Sequence, residues 1–256
     1  MYVPNTRKVD MRPWLLIDYD DTLGGVLIDG KVESNHAAYH NAIEDYKNTM
    51  ATWGFDPEKS EVVRDRIDRE LLEAHGFADK HRFAEAMWLA FMEMRQDTGR
   101  VVRGSELQII KRIGLSVFEY RYMPLPGALD TLQKLQKSYR IAVVTKGNYT
   151  EQNIKVKESG VYYFVDDVFV MDYKNLDEWK YLFKHLHING PILEDSWAIG
   201  NAIRSDINNP LKLGANAIHI KVPGDWDFEL EAFETPKDLA QLYSVSNISE
   251  ILHYIN

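Results

Sequence analysis

Three carboxylates crowd into a short stretch near the N-terminus, in the order Asp18, Tyr19, Asp20, Asp21 and Thr22. Carboxylates this close repel one another, and such a cluster usually persists because a cation binds there. A site made only of oxygen ligands suits Mg²⁺. The alternative is an acidic turn on a solvated loop, which the rest of the sequence makes less attractive.

The composition narrows the chemistry further. The chain of 256 residues contains no cysteine, which excludes disulfides, thiolate nucleophiles and cysteine-bound metals. Its formal net charge of −9 disfavours nucleic acid and anionic membranes as partners, since both require clustered lysine and arginine. Residues 1–13 contain no apolar segment of signal-peptide length, and the chain has no long apolar run, so we predict a cytoplasmic protein.

Short apolar stretches that end in polar or glycine residues predict the strands that position this chemistry. These stretches are Trp14–Asp18, Ile141–Val144, Val168–Val170, Trp197–Ile199 and Ala217–Ile220. Helical patterns follow the second, third and fourth of them, at Thr150–Ser159, Glu178–Leu186 and Asp206–Leu213. This alternation predicts an α/β fold, a Rossmann-like parallel sheet with helices on both faces and the site at the carboxyl ends of the strands. An edge strand at residues 244–245 and a closing helix at Ile248–Tyr254 could complete it.

A long segment with a different pattern separates the first strand from the second. Apolar residues recur there at three- and four-residue intervals, which predicts helices at Asn35–Trp53, Lys59–His75, Asp79–Thr98 and Gly104–Phe118. We therefore predict an α/β core domain of residues 1–23 and 124–256, with an inserted all-helical cap domain of residues 24–123. Both junctions carry turn-forming residues, Gly24-Gly25 on entry and Met123–Pro126 on exit.

The acidic cluster after its buried strand resembles the first motif, D-x-D-x-T, of the haloacid dehalogenase-like hydrolases. The resemblance implies that Asp18 is a nucleophile and that Asp20 is a general acid and base. A carboxylate can attack phosphorus once a metal has aligned and neutralised the phosphoryl group. A second carboxylate can protonate the leaving oxygen and then deprotonate the water that cleaves the acyl phosphate.

Thr145, at the end of the second core strand, resembles the Ser or Thr of the second motif, which donates to a phosphate oxygen. Gly147 and Asn148 follow at a predicted helix start, where backbone N–H groups and the helix dipole favour anions. A lone threonine in this position is usually only a helix cap, so the match counts only together with the others.

The third and fourth motifs of the family supply a lysine and the metal ligands. We favour Lys174 over Lys180 as this lysine, because Lys174 closely follows a strand and Lys180 falls about two helical turns later. The resemblance implies a Mg²⁺ site made by the Asp18 and Asp206 carboxylates and the Asp20 backbone carbonyl. Asn201 stands where the family often has an aspartate, so it would be a neutral ligand or would orient a bound water. The missing charge should weaken Mg²⁺ binding.

Together the motifs imply Mg²⁺-dependent hydrolysis of a small phosphomonoester through an aspartyl phosphate. A phosphotransferase or mutase would use the same residues, and a binding protein that lost turnover would be consistent with Asn201. A haloacid dehalogenase on the same fold is disfavoured, because a halide leaves without the proton that Asp20 would supply. The partner is then a small phosphorylated metabolite, with contacts expected from Thr22, Lys146, Gly147 and the cap residue Arg82. The sequence gives no indication of the oligomeric state.

The inserted segment carries the residues that would select the substrate. Lys80-His81-Arg82, at the start of a predicted helix, is a candidate substrate contact, although a solvated helix face is the simpler interpretation. His36 and His40 have the one-turn spacing of metal ligands, but no third ligand at a fitting spacing accompanies them. We therefore interpret both histidines as residues of the cap surface or of an interface.

Overall fold

The computed structural model describes residues 10–77, 79–96, 98, 101, 103–222, 231–237 and 239–255. The segment Asp225–Glu229, which the sequence suggests as an ordinary surface loop or a rim of the site, lies outside the described residues. Among the described helices, none is long and apolar enough to cross a membrane.

The strands are, in chain order, β1 (Trp14–Ile17), β2 (Gly24–Ile28), β3 (Lys31–Glu33), β4 (Tyr122–Pro124), β5 (Arg140–Lys146), β6 (Asp167–Met171), β7 (Trp197–Gly200), β8 (Asn216–Ile220) and β9 (Leu242–Val245). The α-helices are α1 (Asn35–Thr52), α2 (Pro57–His75), α3 (Arg82–Gln96), α4 (Gly104–Leu115), α5 (Ala128–Leu135), α6 (Tyr149–Glu158), α7 (Leu176–His185), α8 (Gly190–Glu194) and α9 (Asn209–Leu213). A π-helical turn at Ile203–Asn208 precedes α9, and a 3₁₀ helix at Ile248–His253 follows β9.

Within the described residues, six parallel strands form the core sheet in the order β6-β5-β1-β7-β8-β9. The strand order reverses around β1, which lies between β5 and β7 and therefore ends at the switch point where open α/β sheets bind ligands. The predicted α/β fold class, with a Rossmann-like parallel sheet, is confirmed. The predicted edge strand is β9, which pairs with β8 over four residue pairs.

The core sheet is covered on both faces, as its continuous apolar strands require. Successive residues of a strand point to opposite faces, so β1 contributes to two hydrophobic clusters. Leu15 and Ile17 pack with side chains of α5 and the C-terminal 3₁₀ helix on one face. Trp14 and Leu16 pack with side chains of α7 on the other face. All four residues of β1 are buried, which fixes the position of the acidic cluster that follows.

The inserted segment contains the four predicted helices, α1 to α4, which share a separate apolar core. Its two ends differ from the all-helical prediction, because β2, β3 and β4 form a small antiparallel sheet. Asp29 and Gly30 between β2 and β3 both have positive φ, 49° and 80°, as a tight hairpin turn requires. Gly24-Gly25, predicted as a turn at the entry junction, are instead the first residues of β2.

Candidate active site

The polar residues singled out in the sequence meet at the carboxyl edge of the core sheet. Asp18 and Asp20 follow β1, Thr145 lies near the end of β5, Lys174 follows β6 and Asp206 follows β7. Together with residues of α1, α2 and α3, they line a cavity of about 240 Å³ between the sheet edge and the inserted helices. Parallel strands bring their carboxyl ends to one edge, so distant parts of the chain contribute to one site.

Lys174 lies between two buried carboxylates. Its Nζ donates to Asp18 Oδ1 and to Asp206 Oδ1, at 2.6 Å in each case. All three residues are buried, with exposed fractions of 7% for Asp18, 2% for Lys174 and 3% for Asp206. Burial disfavours the charge of Lys174, but the Asp18 and Asp206 carboxylates outweigh burial and raise its pKa. Burial, helped by the nearby Asp206 and Asp20 and opposed by Lys174, raises the pKa of Asp18 to about 8.

The loop after β6 holds Lys174 in an unusual backbone conformation. Lys174 has a φ of 51°, in the left-handed region that non-glycine residues rarely adopt. The Glu178 carboxylate accepts the backbone N–H groups of Asp172, Tyr173 and Asn175, so the loop wraps around one side chain. The Asn209 amide donates to the Lys174 carbonyl at 2.9 Å. Lys180, the alternative lysine, is exposed and pairs with Asp177.

The turn after β7 orients the second carboxylate partner of Lys174. Asp206 Oδ2 accepts the backbone N–H of Ala202 at 3.0 Å, which closes the turn. The Trp179 indole donates to the Ser205 carbonyl at 2.8 Å and ties the π-helical turn to α7. Asn201 lines the same cavity, and its Oδ1 accepts a long hydrogen bond of 3.4 Å from the Thr22 hydroxyl. Thr22 is buried and does not line the cavity, so it supports the Asn201 side chain instead of facing a substrate.

Asp20 is held by two side chains of α6, neither of which belongs to the sequence motifs. Lys155 Nζ donates to Asp20 Oδ1 at 2.8 Å, and Gln152 Nε2 donates to Asp20 Oδ2 at 3.0 Å. The two residues are three apart on one helix and therefore project from the same face.

Asp21 ties the acidic cluster to the first inserted helix. Its carboxylate accepts the backbone N–H of Asn35, and its Oδ2 lies 3.0 Å from His36 Nδ1. Burial and the nearby Asp20 outweigh the Asn35 hydrogen bonds and raise the pKa of Asp21 to about 7. His36 lines the cavity, whereas the sequence placed it on the cap surface or at an interface, and His40 is exposed.

The residues expected to contact the substrate take different positions around the cavity. The Thr145 hydroxyl is buried and makes no hydrogen bond within the described part of the chain, which leaves it available. Lys146 Nζ lies 4.0 Å from the centre of the Phe77 ring. The Gly147 N–H already donates to the Met171 carbonyl at 3.2 Å, and its φ is 136°.

The Asn148 side chain caps α6 by accepting the N–H groups of Thr150 and Glu151. The N–H groups of Thr150 and Glu151 are therefore already satisfied at the helix start where the sequence predicts an anion. Arg82 lines the cavity but pairs with Asp68 of the neighbouring helix, so it contributes less free charge than the sequence suggests. Lys80 forms a 2.8 Å ion pair with Glu151, which joins the inserted segment to the core at the rim.

The donor set at this edge suits Mg²⁺. No group of three or more His, Cys, Asp or Glu side chains in the described ranges forms a metal site by itself. Mg²⁺ usually needs only one or two carboxylates and keeps several waters. Lys174 contacts Oδ1 of Asp18 and Oδ1 of Asp206, so the Oδ2 atoms face no lysine, and Asp206 Oδ2 accepts the Ala202 N–H with one of its lone pairs. With the Asn201 amide and the Asp20 backbone carbonyl, these residues fit the ion.

Comparison with known proteins gives a consistent picture of the fold. A scan against protein-family models found no match, and a search of curated proteins found none either. Among solved structures, a haloacid dehalogenase-like family hydrolase from Xanthomonas campestris matches with a TM-score of 0.71 and 19% identity, covering 95% of this chain and 90% of that chain.

Two further matches broaden the comparison. The putative HAD-hydrolase YfnB from Bacillus subtilis, bound to magnesium, matches with a TM-score of 0.59 and 18% identity, over 96% of this chain and 99% of that one. A HAD phosphatase from Thermococcus onnurineus matches with a TM-score of 0.54 and 14% identity, over 94% of this chain and 97% of that one. L-2-haloacid dehalogenase from Xanthobacter autotrophicus also matches. The resemblance found in the sequence motifs is thus confirmed for the architecture, and this chain has the fold of the haloacid dehalogenase-like hydrolases.

Proposed function

We propose that this protein is a Mg²⁺-dependent phosphatase that hydrolyses a small phosphomonoester through a phosphorylated Asp18. The observation that carries the proposal is the presence of Asp20 in the same cavity as Asp18 and Lys174. An ester oxygen must be protonated as it leaves, and a second carboxylate beside the nucleophile can supply that proton. The substrate reaches the sheet edge from the cavity beneath the inserted helices.

Each residue of the cluster has a part in this reaction. Asp18 attacks phosphorus, an Asp18–phosphorus bond forms, and the bond to the ester oxygen breaks while Asp20 gives that oxygen a proton. Asp20 then takes a proton from the water that attacks phosphorus and releases Asp18. Lys174 holds the Asp18 carboxylate in place, and the unpartnered Thr145 hydroxyl is placed to donate to a phosphoryl oxygen.

Asp18, Asp206, Asn201 and the Asp20 carbonyl would hold the ion. Mg²⁺ would neutralise phosphoryl charge and favour the ionised form of the buried Asp18. This contribution matters because burial, with the Asp206 and Asp20 carboxylates, outweighs Lys174 and raises the pKa of Asp18 to about 8. A cation beside Asp18 lowers the pKa of its carboxyl group, as Lys174 does.

Carbon–halogen hydrolysis is the second candidate, because dehalogenases share this fold. Halide needs no proton on leaving, so that reaction gives Asp20 no role in the first step. We therefore prefer the phosphatase to the dehalogenase because of the side chains in the site, since both kinds of enzyme share the fold.

A screen of phosphorylated metabolites tests the proposal, with chloropropionic acid tested in parallel. We expect release of inorganic phosphate from a subset of the esters in the presence of Mg²⁺, and no release after addition of excess EDTA. Halide release without phosphate release would establish the dehalogenase instead. Release of neither product from any compound would favour a binding protein and contradict the proposal.

A further inference from the structure

Both oxygens of the Asp20 carboxylate are bound by side chains of α6. Lys155 supplies an ammonium group to Oδ1 at 2.8 Å, and Gln152 supplies an amide to Oδ2 at 3.0 Å. The Asp20 side chain is 29% exposed and borders the cavity, so without these donors it could adopt several rotamers. One donor on each oxygen fixes the plane of the carboxylate.

The two donors are themselves held in place. Gln152 Nε2 also donates to the Lys146 carbonyl at 2.9 Å, which anchors the amide to the end of β5. Lys155 is only 8% exposed, and its Nζ lies 5.6 Å from the centre of the Tyr122 ring. The Tyr19 hydroxyl donates to the Lys155 backbone carbonyl at 2.9 Å. Hydrogen bonds from α6 to Asp20, and from Tyr19 to α6, therefore connect the acidic motif to this helix.

We propose that Lys155 and Gln152 are positioning residues that aim the Asp20 carboxylate at the leaving oxygen. The proposal rests on the proposed phosphatase function. Lys155 keeps its proton throughout, since the proton that the ester oxygen receives comes from Asp20 and returns to Asp20 from water. A general acid must reach the reacting atom within about 2.6–3.2 Å. A misplacement of about 1 Å can cost about 100-fold in rate.

The alternative role for Lys155 is direct binding of the phosphoryl group. The structure argues against it, because the ammonium group is engaged with Asp20 and is almost fully buried. The two roles differ in a measurable way. A residue that orients Asp20 matters most when the leaving group needs a proton, whereas a phosphate ligand matters equally for every ester.

The test compares kcat/KM of Lys155→Met with that of wild type on two substrates, an alkyl phosphate from the screen and para-nitrophenyl phosphate. The parameter kcat/KM reports the steps up to phosphoryl transfer, and para-nitrophenolate leaves without a proton. We expect a loss of at least ~10-fold on the alkyl phosphate and less than ~3-fold on the aryl phosphate. Inhibition by inorganic phosphate should stay unchanged.

Matched variants make the result specific. Lys157→Met removes an exposed lysine from the same helix and should leave both substrates unaffected. Lys155→Arg keeps a cationic donor and should recover part of the alkyl phosphate activity. Gln152→Met should reproduce the selective loss with no change of charge, and it carries the test if Lys155→Met does not fold.

Equal losses on both substrates, or weaker inhibition by phosphate, would overturn the positioning role and assign Lys155 to phosphate binding. Full activity of Lys155→Met and of Gln152→Met on the alkyl phosphate would also overturn it. A wild-type protein that releases phosphate from neither ester would instead refute the proposed function, and this inference with it.

Discussion

At the scale of single residues, Lys174 balances the charge of the site. It contacts two buried carboxylates, which would repel each other without it. The side chain has almost no exposure, so its charge is not screened by solvent. Lys174 therefore offsets the repulsion between Asp18 and Asp206 at the sheet edge.

Replacing Lys174 with methionine should damage both stability and activity. Removing one partner from a buried ion pair leaves an uncompensated charge and typically costs ~3–5 kcal/mol. We expect a loss of this size in the free energy of unfolding, measured by urea denaturation without Mg²⁺, together with loss of phosphate release. Lys180→Met is the matched control, because that lysine is exposed and should change neither quantity measurably. Equal behaviour of the two variants would contradict the assignment of Lys174.

At the scale of elements, the turns after the strands determine where the carboxylates lie. Gly200 ends β7 and lies directly against the Asp206 side chain. A methyl group at this position would overlap the Asp206 carboxylate. Because Gly200 has no side chain, the Asp206 carboxylate has room to reach Lys174.

Gly200→Ala should lower activity without removing any reacting group. The added methyl must displace the Asp206 carboxylate, and we expect kcat/KM for the best substrate to fall by at least ~10-fold. Gly104→Ala is the control, because a methyl group at the start of α4 would meet no atom of the described residues within 4 Å apart from its local backbone. That variant should be neutral or slightly more stable, since alanine favours a helix. Wild-type activity of Gly200→Ala would show that Asp206 is free to move.

The elements of the core could be predicted because β1, β5, β7 and β8 are short apolar runs bounded by polar residues. The ends of the insert could not be predicted in the same way. Their strands are short, and the Asp29-Gly30 turn that makes the hairpin was not recognised among the surrounding helical patterns. The sequence likewise predicts an ordinary helix from Asp206 and no π-helical turn before α9, because the contacts of Asp206 and Trp179 that accompany this turn are long-range or side-chain contacts.

Much of the candidate site was visible in the sequence because strand ends converge at one edge. Lys155 and Gln152 were not visible as site residues, since a lysine and a glutamine on an amphipathic helix usually face solvent. Only the three-dimensional approach of α6 to the acidic motif brings them to Asp20. His36 was interpreted as a surface residue for a similar reason, because its contact with Asp21 depends on where α1 begins.

At the scale of the whole molecule, Mg²⁺ should bind the folded chain and stabilise it. A ligand that binds only the folded state raises stability according to its concentration relative to its Kd. We expect the thermal midpoint to rise with Mg²⁺, and Asn201→Asp to reach half of that rise at a lower Mg²⁺ concentration because it adds a carboxylate. Asp206→Ala should abolish the rise. An Asn201→Asp curve that coincides with wild type would place Asn201 outside the ligand set.

Detection of the phosphorylated intermediate tests the central claim most directly. The enzyme is mixed with a substrate that carries a radiolabelled phosphoryl group, quenched with acid during the first turnover, and analysed for label on the protein. We predict Mg²⁺-dependent label that hydroxylamine removes, as expected of an acyl phosphate, and that is absent from Asp18→Asn. Phosphate release by wild type with no labelled protein, or equal labelling of Asp18→Asn, would contradict the assignment of Asp18 as the nucleophile.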